Sequence, residues 1–130
     1  MLTQHDLKQF TGTSGYTRFS PLFPRVVLTD GALHVAEHAG QNGGFWIMDV
    51  IASHQPALQR HPDARLRDMQ FWKLKVNADK SAVITCVADT GEPPAVEQQI
   101  PFTDFDLPEI DLWVAPLDHL HYAIYLPSEH

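Results

Sequence analysis

Residues 34 to 38 read HVAEH. This is the H-x-x-E-H spacing with which one class of zinc peptidase binds its metal: two histidines one helical turn apart converge on the ion, and the glutamate polarises the bound water. Three other features have residue types that suit chemistry. His119 and His121, two apart, would share one face of a strand, which is also a metal-compatible arrangement. DTG at 89–91 is the spelling of aspartic-peptidase active sites, where two aspartates share one proton. Cys86 is the one thiol in the chain. There is no G-x-S-x-G, P-loop or G-x-G-x-x-G pattern.

The elements that must position these residues decide between chemistry and structure. Thr29 or Asp30 caps a helix that runs to about Gly40, where AGQNGG supplies a stop. At 100° per residue, Ala32, Leu33, Val35, Ala36, Ala39 and Gly40 fill one arc of that helix, while His34, Glu37, His38 and Gln41 fill the other. The histidines are therefore expected on the wet face, where a catalytic metal would still lack a third ligand and a water-poor cleft. A metal-dependent hydrolase built on His34, Glu37 and His38 stands as the alternative reading, and no metal or cofactor is expected. His119 and His121 are expected on the outer face of a half-exposed strand whose core side carries Leu120, Tyr122, Ile124 and Leu126. DTG occurs once, at a strand end before EPP, and reads as a turn. Cys86 lies in the apolar run AVITCVAD and reads as a buried, inert thiol.

Organisation changes once, near residue 68. Before it the pattern is mainly helical. Thr3 and Asp6 have capping-box spacing and open a short helix carrying Leu7 and Phe10 inward. FTGTSGYTRFSPLFPR breaks that helix and reads as a long ordered loop, a kind often functional. FWIMDVIASHQP is ambiguous between strand and helix, but Trp46, Ile47, Val50, Ile51 and His54 share a helical face and Pro56 follows, which favours a helix. After residue 68 period two takes over in MQFWKLKV, SAVITCVA, AVEQQIPF, IDLWV and HLHYAIYL. In the first of these Trp72, Leu74 and Val76 face one side, and Lys73 and Lys75 face water. The expected fold is a single α+β domain over 1–130. N-terminal helices (about 1–62) pack on one face of a mainly antiparallel, about five-stranded sheet (about 68–127).

Composition and charge bound the function. With 130 residues, 44% hydrophobic and 19% charged, the chain has the composition of one globular domain. It contains no apolar run of membrane-spanning length, and MLTQHDLKQF has neither a basic nor an apolar leader region, so a cytoplasmic protein with no membrane partner is expected. All nine Lys and Arg lie at or before Lys80, whereas residues 81–130 carry nine carboxylates: Asp89, Glu92, Glu97, Asp104, Asp106, Glu109, Asp111, Asp118 and Glu129. Such a field repels phosphate backbones, so no direct nucleic-acid binding is expected, and a protein partner or a homo-oligomer is. An acidic mimic that occupies a nucleic-acid-binding protein is a second alternative.

The ordered blocks FTGTSGYTRF, LTDGALHVAEHAG, FWIMDVIASHQ, FWKLKV, IPFTDFDLPEI and YLPSEH resemble the uncharacterised bacterial domain-of-unknown-function family 6876 over nearly the whole chain. The resemblance implies no established activity. Against the family's pattern this chain departs at His34, His38 and the Gly43–Gly44 step, which weighs against a metal site. It also implies that FTGTSGYTRF and PFTDFDLP belong to the pattern rather than to arbitrary loops. Thr13, Tyr16 and Arg18 from one, with Thr103, Asp104 and Asp106 from the other, are the candidate binding residues. They are expected as a polar pocket mouth, or as an Arg18–Asp104 pair that fastens the loop to the sheet. The expected function is that of a small non-catalytic accessory or interaction protein with an acidic C-terminal surface.

Overall fold

Thr3 starts the first helix by a reciprocal exchange. Its hydroxyl accepts from the Asp6 N–H at 3.1 Å, and the Asp6 carboxylate accepts from the Thr3 N–H at 3.2 Å. The box opens α1 (Gln4–Lys8), which buries Leu7. The computed structural model describes residues 2–130. After α1 come β1 (Thr17–Arg18), β2 (Val26–Leu28), α2 (Asp30–His38), α3 (Phe45–Ser53), α4 (Gln55–Leu58) and α5 (Arg65–Asp68). Then follow β3 (Gln70–Val76), β4 (Ala82–Val87), β5 (Val96–Ile100), β6 (Glu109–Pro116), β7 (Tyr122–Tyr125) and a 3-10 turn, Pro127–Glu129.

The strands form one seven-stranded sheet in the order β1-β2-β7-β6-β3-β4-β5. Neighbours are antiparallel except β2 and β7, which run parallel, so the sheet is mixed. The helices cover one face of it, giving an α+β fold. Trp72, Leu74, Ile84, Cys86, Leu112, Val114 and Ile124 on that face pack with Val35, Ala36, Ile47, Met48, Ile51, Leu58 and Leu66 of the helices. Period two in the strands and period 3.6 in the helices thus meet in one apolar core.

Two expectations need correction. The sheet has seven strands rather than about five, because β1 arises inside the block read as a long loop and β2 in the three residues between that block and the Thr29 cap. Two residues in β1 and three in β2 are too few to show a period, and Val26-Val27-Leu28 is buried throughout, which gives no alternation to read. The last strand starts at Tyr122, so His119 and His121 lie in a turn and not on one strand face. The Asp118 carboxylate makes that turn by accepting from the N–H groups of Leu120 and His121, both at 2.8 Å. Leu120, expected on the core side, is 51% exposed.

One polar network runs through the core. The side-chain amides of Gln55 and Gln70 bond reciprocally at 2.8 and 2.9 Å. Gln70 Oε1 also accepts from Trp72 Nε1 at 2.9 Å, and the amide nitrogens donate to the Ile51 and Leu66 carbonyls. This fixes α4 and α5 against β3, and among the described residues no buried side-chain N or O lacks a partner. Gln70→Leu strands the Trp72 N–H and the Gln55 amide together, and is expected to cost about 3 kcal/mol in urea unfolding. Gln59→Leu, at the half-exposed edge of the network, is expected to cost less than about 1 kcal/mol.

Candidate functional site

The six candidate binding residues do not converge on one pocket; Thr13 stands at one end of α2 and Asp104 and Asp106 at the other. Thr13 lies at the start, where its hydroxyl accepts from the Asp30 N–H at 3.0 Å and donates to the Gly15 carbonyl at 2.7 Å. Ser14 donates from both N and Oγ to the Asp30 carboxylate at 2.9 Å, and these bonds, the backbone one first, hold that carboxyl below its ordinary range. Asp104 and Asp106 lie at the other end. Asp104 accepts from the Gln41 N–H at 2.8 Å and Asp106 from the Gly40 N–H at 2.9 Å; Asp106 also accepts from the Leu2 N–H. Thr103 is buried, its hydroxyl accepting from the Phe105 N–H. Tyr16 and Arg18 are exposed, and among the described residues Arg18 forms no ion pair with Asp104 or any other carboxylate.

The start of α2 explains why Thr13 stands where it does. The first helical N–H groups have no partner within the helix, and here each finds a side chain from a different segment. Asp30 N–H donates to Thr13, Gly31 N–H to Glu129 at 3.0 Å, and Ala32 N–H to Thr29 at 3.3 Å. Glu129 accepts additionally from the Thr29 hydroxyl and the Leu126 N–H. At the far end Gly40 turns the chain with φ of 60°, and a Cβ there would meet the Asp104 carboxylate. Much of the C-terminal acidity is thus internal. Glu92 takes Arg65, Glu109 and Asp111 flank Lys73, Asp118 takes His121, and Asp89 accepts from Thr90. Among the described residues Glu97 alone of the nine has neither a hydrogen bond nor an ion pair from its carboxylate.

His34, Glu37 and His38 of HVAEH lie on the outer side of α2, where Glu37 and His38 are exposed and His34 is half-buried. The His34 ring lies 4.5 Å from that of His38 and 5.1 Å from that of Phe10. Burial first, and the neighbouring His38 second, hold the His34 imidazole below its ordinary range. Among the described residues no group of three or more His, Cys, Asp or Glu is arranged to hold a metal ion. The pair therefore supplies two imidazoles and no third donor. Cys86 is buried and its thiol is pushed up to about 12 by burial, so it carries little thiolate at neutral pH. DTG is a turn: Asp89 accepts from the Thr90 N–H at 2.8 Å and Gly91 has φ of 84°.

The sheet face without helices carries the feature that the sequence reading missed. Cross-strand register aligns Val87, Phe71, Trp113 and Tyr125 into an apolar row across β4, β3, β6 and β7. The Phe71 and Trp113 rings meet edge to face at 5.2 Å, as do Trp113 and Tyr125 at 6.1 Å. His130 stacks on Tyr125 and edges Trp113 at 5.5 Å, and the Tyr125 hydroxyl donates to Met69 Sδ at 3.3 Å. Beside this row, register places Lys73 opposite Asp111 and Lys75 opposite Glu109. Lys73 Nζ lies 3.5 Å from Asp111 and 3.8 Å from Glu109, with these side chains about half exposed. Phe71 and Trp113 fall at the same alternate positions as Lys73 and Asp111, which was the available signal: aromatic side chains on a face otherwise marked as wet.

Two measurements test this assignment of α2. Glu129→Ala leaves the N–H groups of Gly31 and Leu126 without their acceptor, the Thr29 hydroxyl keeping the Ile124 carbonyl at 3.3 Å, and is expected to cost about 2 kcal/mol in stability. A His38→Ala variant should raise the midpoint of His34 toward the ordinary value of about 6.5, read from its ring-proton shift against pH. Because the folded state holds His34 below its unfolded value, the unfolded chain binds more protons, and the contribution of this site to stability falls as pH drops through the window below about 6.5. An unmoved His34 midpoint would show that His38 does not act on it.

No curated protein and no solved structure matches the chain. One family model matches residues 1–130, and the chain belongs to the family of unknown function DUF6876.

Proposed function

We propose that the protein is a small cytosolic accessory protein without catalysis, whose helix-free sheet face associates with a second copy of itself. The reading rests on the register of β3 and β6. A two-fold axis running along the strands between them carries each β3 residue over its cross-strand neighbour on β6 of the second copy. Phe71 then faces Trp113, Lys73 faces Asp111 and Lys75 faces Glu109, each contact occurring twice. One turn of the axis thus sets aromatic on aromatic and both β3 lysines on carboxylates, at the roughly 10 Å spacing and about −30° crossing of packed sheets.

Toward β7 this face is closed within the monomer, Tyr125 being buried against His130 and Met69, so the contact centres on β3 and β6. An aromatic centre with a charged margin is the composition of a protein interface. A surface acting as a nucleic-acid mimic would instead present free carboxylates, and here those of the C-terminal half bond within the chain, Glu97 apart.

Sedimentation equilibrium of the purified protein tests the reading. A concentration-dependent dimer is expected. Trp113→Asp should abolish it, and Lys73→Glu or Asp111→Lys alone should weaken it at least about tenfold by setting like charges together. The double exchange, Lys73→Glu with Asp111→Lys, should restore most of the affinity. A chain that stays monomeric into the millimolar range, or one in which the double exchange is no better than either single variant, would sink the proposal.

A further inference from the structure

Away from the helix-free face lies a cleft of about 400 Å³ between the approach to β2, the α3–α4 corner and the first residue of β7. Leu22, Phe23 and Pro56 form its apolar wall, and its charged members are Arg25 and Arg60. No carboxylate lines it. In a chain of net charge −7 that is a pronounced local excess. Arg65, for comparison, is held by both Asp63 and Glu92, whereas among the described residues the guanidinium groups of Arg25 and Arg60 have neither an ion pair nor a hydrogen bond.

The backbones beneath both arginines are anchored even though their side chains are free. The Arg25 carbonyl accepts from the Tyr122 N–H at 2.7 Å, which ties it to β7, and the Arg60 N–H donates to the Ala57 carbonyl at 3.1 Å at the end of α4. Tyr122 also lines the cleft, and among the described residues its hydroxyl has no hydrogen-bond partner. Two guanidinium groups from different elements beside an apolar wall suit one chemistry: a carboxylate accepts paired N–H bonds from arginine, and an apolar body displaces water from the wall.

We propose that this cleft binds a small organic carboxylate with an aromatic or branched apolar body, the carboxylate held by Arg25 and Arg60 and the body against Phe23 and Pro56. The cleft shares no residue with the proposed dimer face, so either can fail without the other.

The test is titration of the purified full-length protein with benzoate, phenylacetate and hexanoate, followed by backbone amide shifts and calorimetry, with benzyl alcohol and inorganic phosphate as controls. At least one of the acids is expected to bind saturably and to shift amides in 23–26 and 55–60. Arg25→Gln and Arg60→Gln, which alter exposed side chains and should leave the thermal midpoint unchanged, should each weaken that binding about tenfold. Any of four results would overturn the proposal: no acid binding at millimolar concentration, equal binding in the Arg25→Gln/Arg60→Gln double variant, benzyl alcohol binding as well as the acids, or phosphate binding as well as they do.

Discussion

Helix α2 is nine residues long, too short to hold itself together in water, and it is gripped at both ends by side chains from distant parts of the chain. Glu129 reaches Gly31 across 98 residues, Asp106 reaches Gly40 across 66, and Asp104 reaches Gln41 across 63. The bonds to Gly31 and Gly40 satisfy partly buried N–H groups that would otherwise lose water without gaining a partner, and the exposed Gln41 N–H is held beside them. They also join the N-terminal helices to the far side of the sheet. Asp106 spans both, since the oxygen that takes Gly40 also takes the Leu2 N–H and thereby fastens the start of the chain.

From this constraint the uneven charge distribution follows. Carboxylates gather in the C-terminal half because that half supplies acceptors to helix ends, to Arg65 and to Lys73, all of which lie earlier in the chain. Close approach sets the residue types opposite them. A Cβ at Gly31 would meet Glu129 and Leu126, and one at Gly40 would meet Asp104. With the helices fixed on one side, the other side of the sheet carries an aromatic and ionic pattern on its central strands that His130 covers in part.

Local signals in the sequence carried well where one element decides its own form. The Thr3–Asp6 box, the Thr29 cap, the amphipathic turn order of α2 and the alternation in β3 to β6 are each complete within a few residues. β2 could not be read this way, because Val26-Val27-Leu28 owes its strand to a parallel neighbour almost a hundred residues later. Nor could the strand placement of His119 and His121, where the nearby Asp118 bends the backbone before the sheet begins. The acceptor role of Asp104 and Asp106 was hidden for another reason: a carboxylate in a loop has the same spelling whether it meets a ligand, an arginine or a backbone N–H. The helix-free face required cross-strand register, which places Phe71 beside Trp113 although 42 positions separate them.

The same constraint gives three non-periodic blocks of this chain a structural role. FTGTSG brings Thr13 and Ser14 to the start of α2, YLPSEH brings Glu129 there, and PFTDFDLP brings Asp104 and Asp106 to its end. Blocks without periodicity are thus the ones that hold a short helix in place. The outward positions of that helix bear no such duty. His34 and His38 touch each other and Phe10, while the core contacts are made by Ala32, Val35, Ala36 and Ala39. The H-x-x-E-H spacing therefore falls on positions outside the core contacts of a helix that is secured from both ends by other residues.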